Sequence, residues 1–320
     1  MPVVPATEEA IGQAAQALAR GEIVAFPTET VYGLGANALD GTAVAKVFAA
    51  KERPRFNPLI VHVPDLATAE RYAVFDATAQ KLAETFWPGP LSLVLPKRKD
   101  CGIAELVTAG LDTIALRAPN HPVAQALLAA AKLPLAAPSA NRSGRISPTT
   151  ASHADAELGV LPAMILDGGA CARGIESTVV RVEGDKTVIL RLGAVPRGEI
   201  EVVLGKTIPL AKEDAAIASP GQLERHYAPD TPLRLGATNI RPGEALLAFG
   251  PNAPQGALTT INLSASGDLQ EAAANLFASL RTLDESGAKA IAVMPIPDHG
   301  LGEAINDRLR RAAQAASPQP

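Results

Sequence analysis

The run Ile23-Val24-Ala25-Phe26, stopped by Pro27, is the tightest constraint on this chain. Four apolar residues in succession predict a buried strand. Proline ends it, because it lacks a backbone donor and fixes its own φ. The chain then places Thr28, Glu29, Thr30 and Tyr32 in a short stretch, followed by Gly33 and Gly35. A loop that only connects has no need of so many hydrogen-bonding side chains. Loops at strand ends are where α/β proteins bind ligands.

Similar short apolar runs recur. Strands are predicted at Leu59–Val63, Leu91–Leu95, Thr113–Leu116, Pro134–Ala137, Met164–Leu166, Ser177–Val182 and Thr187–Leu190. Helices are predicted at Thr42–Ala50, Ala77–Phe86, Pro122–Ala131 and Thr150–Glu157. An earlier helix is capped by Thr7, with Glu8 and Glu9 in its first turn. Not every pair of strands has a crossover helix between its members, so the sheet is read as mixed. A short helix over Arg197–Leu204 closes a first domain, residues 1–204. Residues 205–232 lose periodicity and gain prolines, which reads as a linker. A second α/β unit, 233–320, follows. It has strands at Ala245–Phe249, Leu258–Asn262 and Lys289–Met294. One of its helices shows Leu269, Ala272, Leu276, Leu280 and Leu283 on one face, and another spans Glu303–Ala315. The tail 316–320 is expected to fray.

A chain of 320 residues is long enough for two cores. Net charge is −4, and aromatics are only 3% of the residues, which argues against stable nucleic-acid binding. Cys101 and Cys171 stand far apart without metal-ligand spacing and read as reduced thiols. No resident metal site is expected. No signal peptide and no membrane span is legible, so a cytoplasmic protein is expected.

Chemistry-bearing side chains sit near the ends of predicted strands. Lys51, Arg53 and Asn57 lie in a loop stiffened by Pro54 and Pro58, where they form a phosphate clamp or a solvated basic loop. Ser139 and Asn141 follow a strand, where they bind phosphate oxygens or simply build a turn. Ser147 is placed to cap the next helix, whose N-terminus is itself an anion site. Strand alternation puts His62 on the face of Ile60. Arg117 closes an apolar strand, where it meets a ligand carboxylate or a salt bridge at the sheet edge. Tyr227 lies in the linker, with little core of its own to join; the alternative is a tyrosine packed between domains. Two patterns are set aside. Gly33-Leu34-Gly35-Ala36-Asn37-Ala38 fits a dinucleotide fingerprint but stands too far beyond its strand. Gly205-Lys206-Thr207 lacks the first glycine of a P-loop, since position 200 is Ile200.

Taken in series, the motifs resemble the YrdC/Sua family of L-threonylcarbamoyladenylate synthases, in its longer two-domain form. They are Pro27–Gly35, Lys51–Leu59, Trp87–Leu91, Arg117–Pro122, Ala137–Gly144, Asp167–Gly169, Glu176–Val180 and His226–Pro229. The resemblance runs from about Gly21 to the C-terminus and implies an open, twisted mixed sheet with a concave face, followed by a smaller Rossmann-like α/β domain. It implies ATP contacts at Arg53, Asn57, Thr113, Ser139, Ser147, Arg191 and Tyr227, with the linker folded over the nucleotide. It implies threonine contacts at Thr30, His62, Arg117, Ser177 and, through its backbone, Ala137. Lys51, Arg53, Ser139 and Asn141 are the expected catalytic set. The implied substrates are L-threonine, bicarbonate and ATP with Mg2+. The product would pass to the proteins that threonylcarbamoylate tRNA. The sequence departs from the family pattern at Ser92, Arg181 and Leu223. Two other functions stay open: an RNA-binding module using Lys51, Arg53, Arg55, Arg142 and Arg145, and an enzyme acting on another carbamoyl compound.

Overall fold

The structure is a computed structural model that describes residues 3–184, 186–211 and 227–315. The first domain runs β1 (Val3–Pro5), α1 (Glu8–Ala19), β2 (Val24–Phe26), β3 (Gly33–Asn37), α2 (Gly41–Lys51), β4 (Ile60–His62), α3 (Leu66–Ala69) and α4 (Ala77–Phe86). It continues through β5 (Leu91–Pro96), α5 (Glu105–Thr108), β6 (Thr113–Arg117), α6 (Pro122–Ala131), β7 (Leu135–Ala136), α7 (Ala151–Leu158), β8 (Met164–Asp167), β9 (Thr178–Glu183), β10 (Lys186–Arg191) and α8 (Arg197–Leu204). The second domain holds β11 (Leu233–Arg234), β12 (Glu244–Ala248), β13 (Thr260–Asn262), α9 (Leu269–Asp284), β14 (Ala290–Val293) and α10 (Leu301–Ala315).

Helices start where short polar side chains cap them. Thr7, Asp40, Asp76, Thr150 and Asp268 each accept a backbone N–H of the first turn. Such a cap is worth about 1 kcal/mol. Thr150, not Ser147, caps α7, which corrects the expectation for Ser147.

The first domain is a ten-stranded mixed sheet in the order β1-β8-β2-β3-β7-β4-β6-β5-β9-β10. One face is buried under α2, α4, α5 and α7, against residues such as Ala25, Val61 and Leu93. On the other face, α1 and α6 cover only the half around β2, through Leu18, Phe26, Leu127 and Leu128. Around β4, β6, β5 and β9 that face carries only a small apolar patch, Ile60, Val94, Ala115 and Val179. This uncovered half holds the pocket described below.

Predicted boundaries shift by one or two residues, and three strands, β1, β3 and β11, and two short helices, α3 and α5, were not expected. The set-aside glycine pattern forms β3, antiparallel to β2. A Cβ on Gly35 would lie 2.7 Å from the Phe26 ring, so glycine is what lets the two strands approach. β1 pairs with β8 at the sheet edge.

The second domain is a parallel four-stranded sheet, β11-β14-β12-β13, with α9 and α10 packed on one face. Its core continues into the first domain through Val31, Ile146, Ile175 and Ala194. Gly174 makes the closest backbone approach, since a Cβ there would sit 2.3 Å from the Ala274 carbonyl oxygen. Arg281 pairs with Glu157 at 3.0 Å and donates to the Ile146 carbonyl, and Arg197 pairs with Glu303 at 2.9 Å. Within the predicted linker, Pro209 and Ala211 bond to Ile189 on the edge strand β10 (Ile189 N to Pro209 O, 3.0 Å; Ala211 N to Ile189 O, 2.8 Å). Residues 212–226 of that linker, with Leu223 and His226, and the tail 316–320 lie outside the described residues. No helix among the described residues is long and apolar enough to cross a membrane.

Candidate active site

The sheet order brings separate motifs to one place. β4 and β6 run parallel with His62 and Arg117 as register partners at their C-terminal ends. β9 starts and β10 finishes at that same end, which adds Ser177 and Arg191. The loop after β2 brings Thr28 and Thr30, and the turn after β7 brings Ala137 and Ser139. Together with Arg53 and Glu176 these groups line one pocket of about 50 Å³.

Arg117 is the pocket's main tether. Its Nη1 donates to Thr30 Oγ1 at 3.0 Å and its Nε to the Gly89 carbonyl at 3.2 Å. Its Nη2 lies 2.7 Å from Glu29 Oε2. The salt bridge foreseen at a sheet edge is therefore real but interior, since β6 lies between β4 and β5. Thr30 Oγ1 is also 2.8 Å from Thr28 Oγ1. Ser177 Oγ is 2.8 Å from Ser92 Oγ, so serine at the departing position 92 becomes a partner of a pocket residue. Arg191 Nη2 donates to the Ser177 carbonyl at 2.7 Å and to its Oγ at 3.1 Å.

The buried polar groups are electrostatically tense. Burial and the neighbouring Arg117 push His62 down to about 3, so its ring is neutral at ordinary pH. Its Nδ1 is buried and has no hydrogen-bond partner among the described residues. Burial and Arg191 push Arg53 down to about 9, and burial also lowers Arg191. Both guanidiniums stay charged at neutral pH while repelling each other. An anion placed between them would relieve that repulsion. Arg53 is anchored by Nη2 to the Pro58 carbonyl at 2.9 Å and by Nε to the Asn57 carbonyl at 3.2 Å.

The remaining predicted residues sit around the pocket without lining it. Lys51 is buried, and its ammonium donates to the Ser139 carbonyl at 2.6 Å and to the Asn141 carbonyl. It braces the Ser139–Asn141 turn from below. Asn141 Nδ2 donates to the Arg142 and Arg145 carbonyls at 2.7 and 2.9 Å. Asn57 and Asn141 each keep a buried Oδ1 without a partner among the described residues. Ser147 donates to Glu176 Oε1 at 2.5 Å. Thr113 starts β6 opposite Pro96, on the same open face as Arg117 but two alternations away. Tyr227 is fully buried and stacks on Phe277, with ring centroids 5.5 Å apart, while the Arg308 guanidinium carbon lies 5.2 Å from its ring centre. Burial pushes its hydroxyl up to about 12. Among the described residues no group of three or more His, Cys, Asp or Glu side chains is placed to hold a metal. Cys101 and Cys171 are free thiols, and burial pushes Cys171 up to about 12.

Three residues around this site were not singled out from the sequence: Glu29, Glu176 and Arg308. The first two had a signal, since each adjoins a residue that was chosen, Thr30 and Ser177. Arg308 also left a trace. It falls between Ala304 and Ala312 in an i, i+4 row of buried residues, where an apolar side chain is expected.

These features define a class: an α/β protein with an open mixed sheet, a cation-lined pocket, and a second α/β domain packed beside it. The comparisons are specific. A family model described as "Telomere recombination" matches residues 16–193, and one described as "Threonylcarbamoyl-AMP synthase, C-terminal domain" matches residues 195–314. Threonylcarbamoyl-AMP synthase of Bacillus subtilis is 41% identical, covering 95% of this chain and 92% of the relative. The synthase of Schizosaccharomyces pombe is 36% identical, covering 98% and 90%. A crystal structure of Pyrococcus abyssi Sua5 complexed with L-threonine superposes with a TM-score of 0.89 at 37% identity, covering 97% and 96%. The chain belongs to the threonylcarbamoyl-AMP synthase family.

Proposed function

We propose that this protein is an L-threonylcarbamoyladenylate synthase, a nucleotidyltransferase that makes L-threonylcarbamoyl-AMP and pyrophosphate from L-threonine, bicarbonate and ATP. One observation carries the reading. Arg53 and Arg191 meet the group Arg117, Thr30, His62 and Ser177 in a single buried pocket. Two repelling guanidiniums suit a polyphosphate. Hydroxyls, a neutral imidazole and a third guanidinium suit a small amino acid with a hydroxyl. Relatives of the same length carry the synthase name, and one related structure holds L-threonine.

In this reading the threonine amine and bicarbonate give a carbamate with loss of water. A carbamate oxygen then attacks the α-phosphorus of ATP, the bond to the β-phosphate bridge breaks, and pyrophosphate leaves. No protein nucleophile takes part. The chain supplies position and charge. Thr30, His62, Ser177 and the Ala137 backbone hold threonine, and Arg117 offers its carboxylate the N–H groups not engaged with Thr30, Gly89 and Glu29. Arg53, Asn57, Ser139 and Arg191 hold the phosphates. Thr113, lower on the open face, lies on the nucleotide side. Lys51 and Asn141 act by shaping the Ser139 turn, and Ser147 through Glu176. Mg2+ would enter with the nucleotide, since no group of three or more His, Cys, Asp or Glu side chains among the described residues is placed to hold it apart from ATP. Its role is to neutralise phosphate charge. Tyr227, stacked on Phe277 and near enough to Arg53 and Arg191 to act on their charges, borders the nucleotide side in this reading. The protein acts in the cytoplasm, and its product is passed to the proteins that modify tRNA.

The test is pyrophosphate release from ATP and Mg2+, omitting L-threonine and bicarbonate in turn. Release that requires both is expected. Release indifferent to threonine would point to a different carbamoyl substrate. Absent release, with salt-sensitive RNA binding, would point to the binding-module reading.

A further inference from the structure

We propose that Arg308, on the second domain, is a positioning residue for the nucleotide half of the site: it turns Glu176 away from Arg191 and so keeps the phosphate-binding cations available. The inference rests on the nucleotide assignment made above. It also gives the second domain a role in the chemistry.

Arg308 is wholly buried, on the face of α10 shared by Ile305, Leu309 and Ala312. A buried guanidinium costs several kcal/mol unless it is well paired, and an apolar residue of like volume would serve stability as well or better. The residue is held for what it touches. Its Nε donates to Glu176 Oε2 at 3.2 Å, and its Nη1 to Asp307 Oδ2 at 3.0 Å. Its guanidinium covers the Tyr227 ring. Its Nη2 is buried with no partner among the described residues.

Glu176 is the hinge of the argument. It lines the pocket, it is nearly buried, and its other oxygen accepts from Ser147 at 2.5 Å. It also acts electrostatically on Arg191, whose positive charge it favours. A carboxylate in this position has two sets of cations to choose from. Facing Arg308, it stays at the domain boundary. Without Arg308 it would be a buried, uncompensated charge, and Arg191, which lines the same pocket, is a cation it can turn to. That swing would neutralise a cation meant for phosphate and release the Ser147 contact. Arg308 thus acts through Glu176 and Ser147 on one side and through Tyr227 on the other.

The experiment uses the full-length protein and ATP with Mg2+, without threonine or bicarbonate, and reads affinity by calorimetry. Arg308→Met is expected to weaken ATP binding by about tenfold or more, the scale of truncating one partner of a buried charge pair. Arg308→Lys should lose less. The signature is suppression. Glu176→Gln removes the charge that would capture Arg191, so Arg308→Met combined with Glu176→Gln should bind ATP better than Arg308→Met alone. The KM for L-threonine should stay within about threefold while that for ATP rises, because the effect is confined to the phosphate side. Exposed Arg310 on the same helix supplies a control, Arg310→Met, expected to be silent. A folded Arg308→Met with unchanged ATP affinity overturns the proposal. So does a double variant as weak as or weaker than the single one, which is what loosened packing would produce. If Arg308→Met does not fold, the same comparison is made with Arg308→Lys and its Glu176→Gln partner. A wild type that binds ATP but turns over without threonine would sink the synthase reading and leave this inference standing. A wild type that does not bind ATP overturns both.

Discussion

Two carboxylate–guanidinium pairs are buried beside the pocket, and they join different things. Arg117 and Glu29 meet at 2.7 Å inside the first domain, where one strand end and one loop of the same sheet are tied together. Arg308 and Glu176 meet at 3.2 Å across the boundary between domains. Both pairs are almost inaccessible, at 9% exposure or less for every side chain involved. Removing such charges from water costs about as much as their attraction returns, so neither pair is explained by net stability. In the proposed reading the first pair sets the shape of the amino-acid end, and the second makes the nucleotide end depend on docking of the second domain.

The comparison can be broken from its local side first. Glu29→Ala leaves Arg117 buried without its counter-ion and should cost about 3–5 kcal/mol of folding stability, read from chemical unfolding of the first domain. A loss below about 1 kcal/mol would mean that the pair is effectively solvated and does not hold the loop. Arg53→Ala tests the phosphate side. It should lower turnover by about 10²–10³-fold, or roughly 2.7–4 kcal/mol, by analogy with deleting one donor to a developing anion. Near-normal turnover would remove Arg53 from the clamp.

Tyr227 sharpens the cross-domain side. Tyr227→Phe keeps the stack on Phe277, and Tyr227→Ala removes it. An aromatic stack is worth about 0.5–1.5 kcal/mol beyond its area, so the alanine variant should shift domain docking measurably and weaken ATP binding. Unchanged ATP affinity in that variant would leave the tyrosine a packing residue and nothing more.

The effect that is smallest near neutral pH is in pH dependence. His62 is lowered to about 3 in the fold, from 6.5 in a free chain. Between those values the unfolded chain carries a proton on His62 that the folded chain refuses. Stability from this group is complete above pH 6.5 and falls as the pH drops toward 3, by up to about 1.4 kcal/mol per pH unit. His62→Gln should flatten the stability curve in that window relative to wild type. Parallel curves would show that water reaches the ring. His153, lowered to about 4 mainly by burial, adds a similar slope that the variant retains.

Much of the fold was legible because it depends on local signals. The Ile23–Phe26 run, the Thr7 cap and the periodicity of α9 are contained within single segments, and the structure shows them with small shifts. β3 was missed for a physical reason. Its Gly-Leu-Gly-Ala-Asn stretch has little strand propensity and is strand-like only because Phe26 leaves room for Gly35 and β7 offers a partner. The pocket residues near strand ends were legible as chemistry, but their division of labour was not. Lys51 looks like a phosphate ligand in one dimension; in three its ammonium is occupied by the Ser139 and Asn141 carbonyls. Ser147 looks like a cap and is a partner of Glu176.

By itself, then, the sequence determined the alternation of strands and helices, the presence of two α/β units, and the motifs that mark the family, since all of these follow from residue types at short separations. Only the tertiary structure decided which charges face one another. Arg117 finds Glu29, which follows a strand separated from β6 by three others in the sheet order, because β6 lies beside β4 and under the loop that follows β2. Arg308 finds Glu176 because the second domain docks against the loops that carry Val31, Ile146, Ile175 and Ala194. Electrostatic interactions depend on distance and dielectric, and both are fixed by packing.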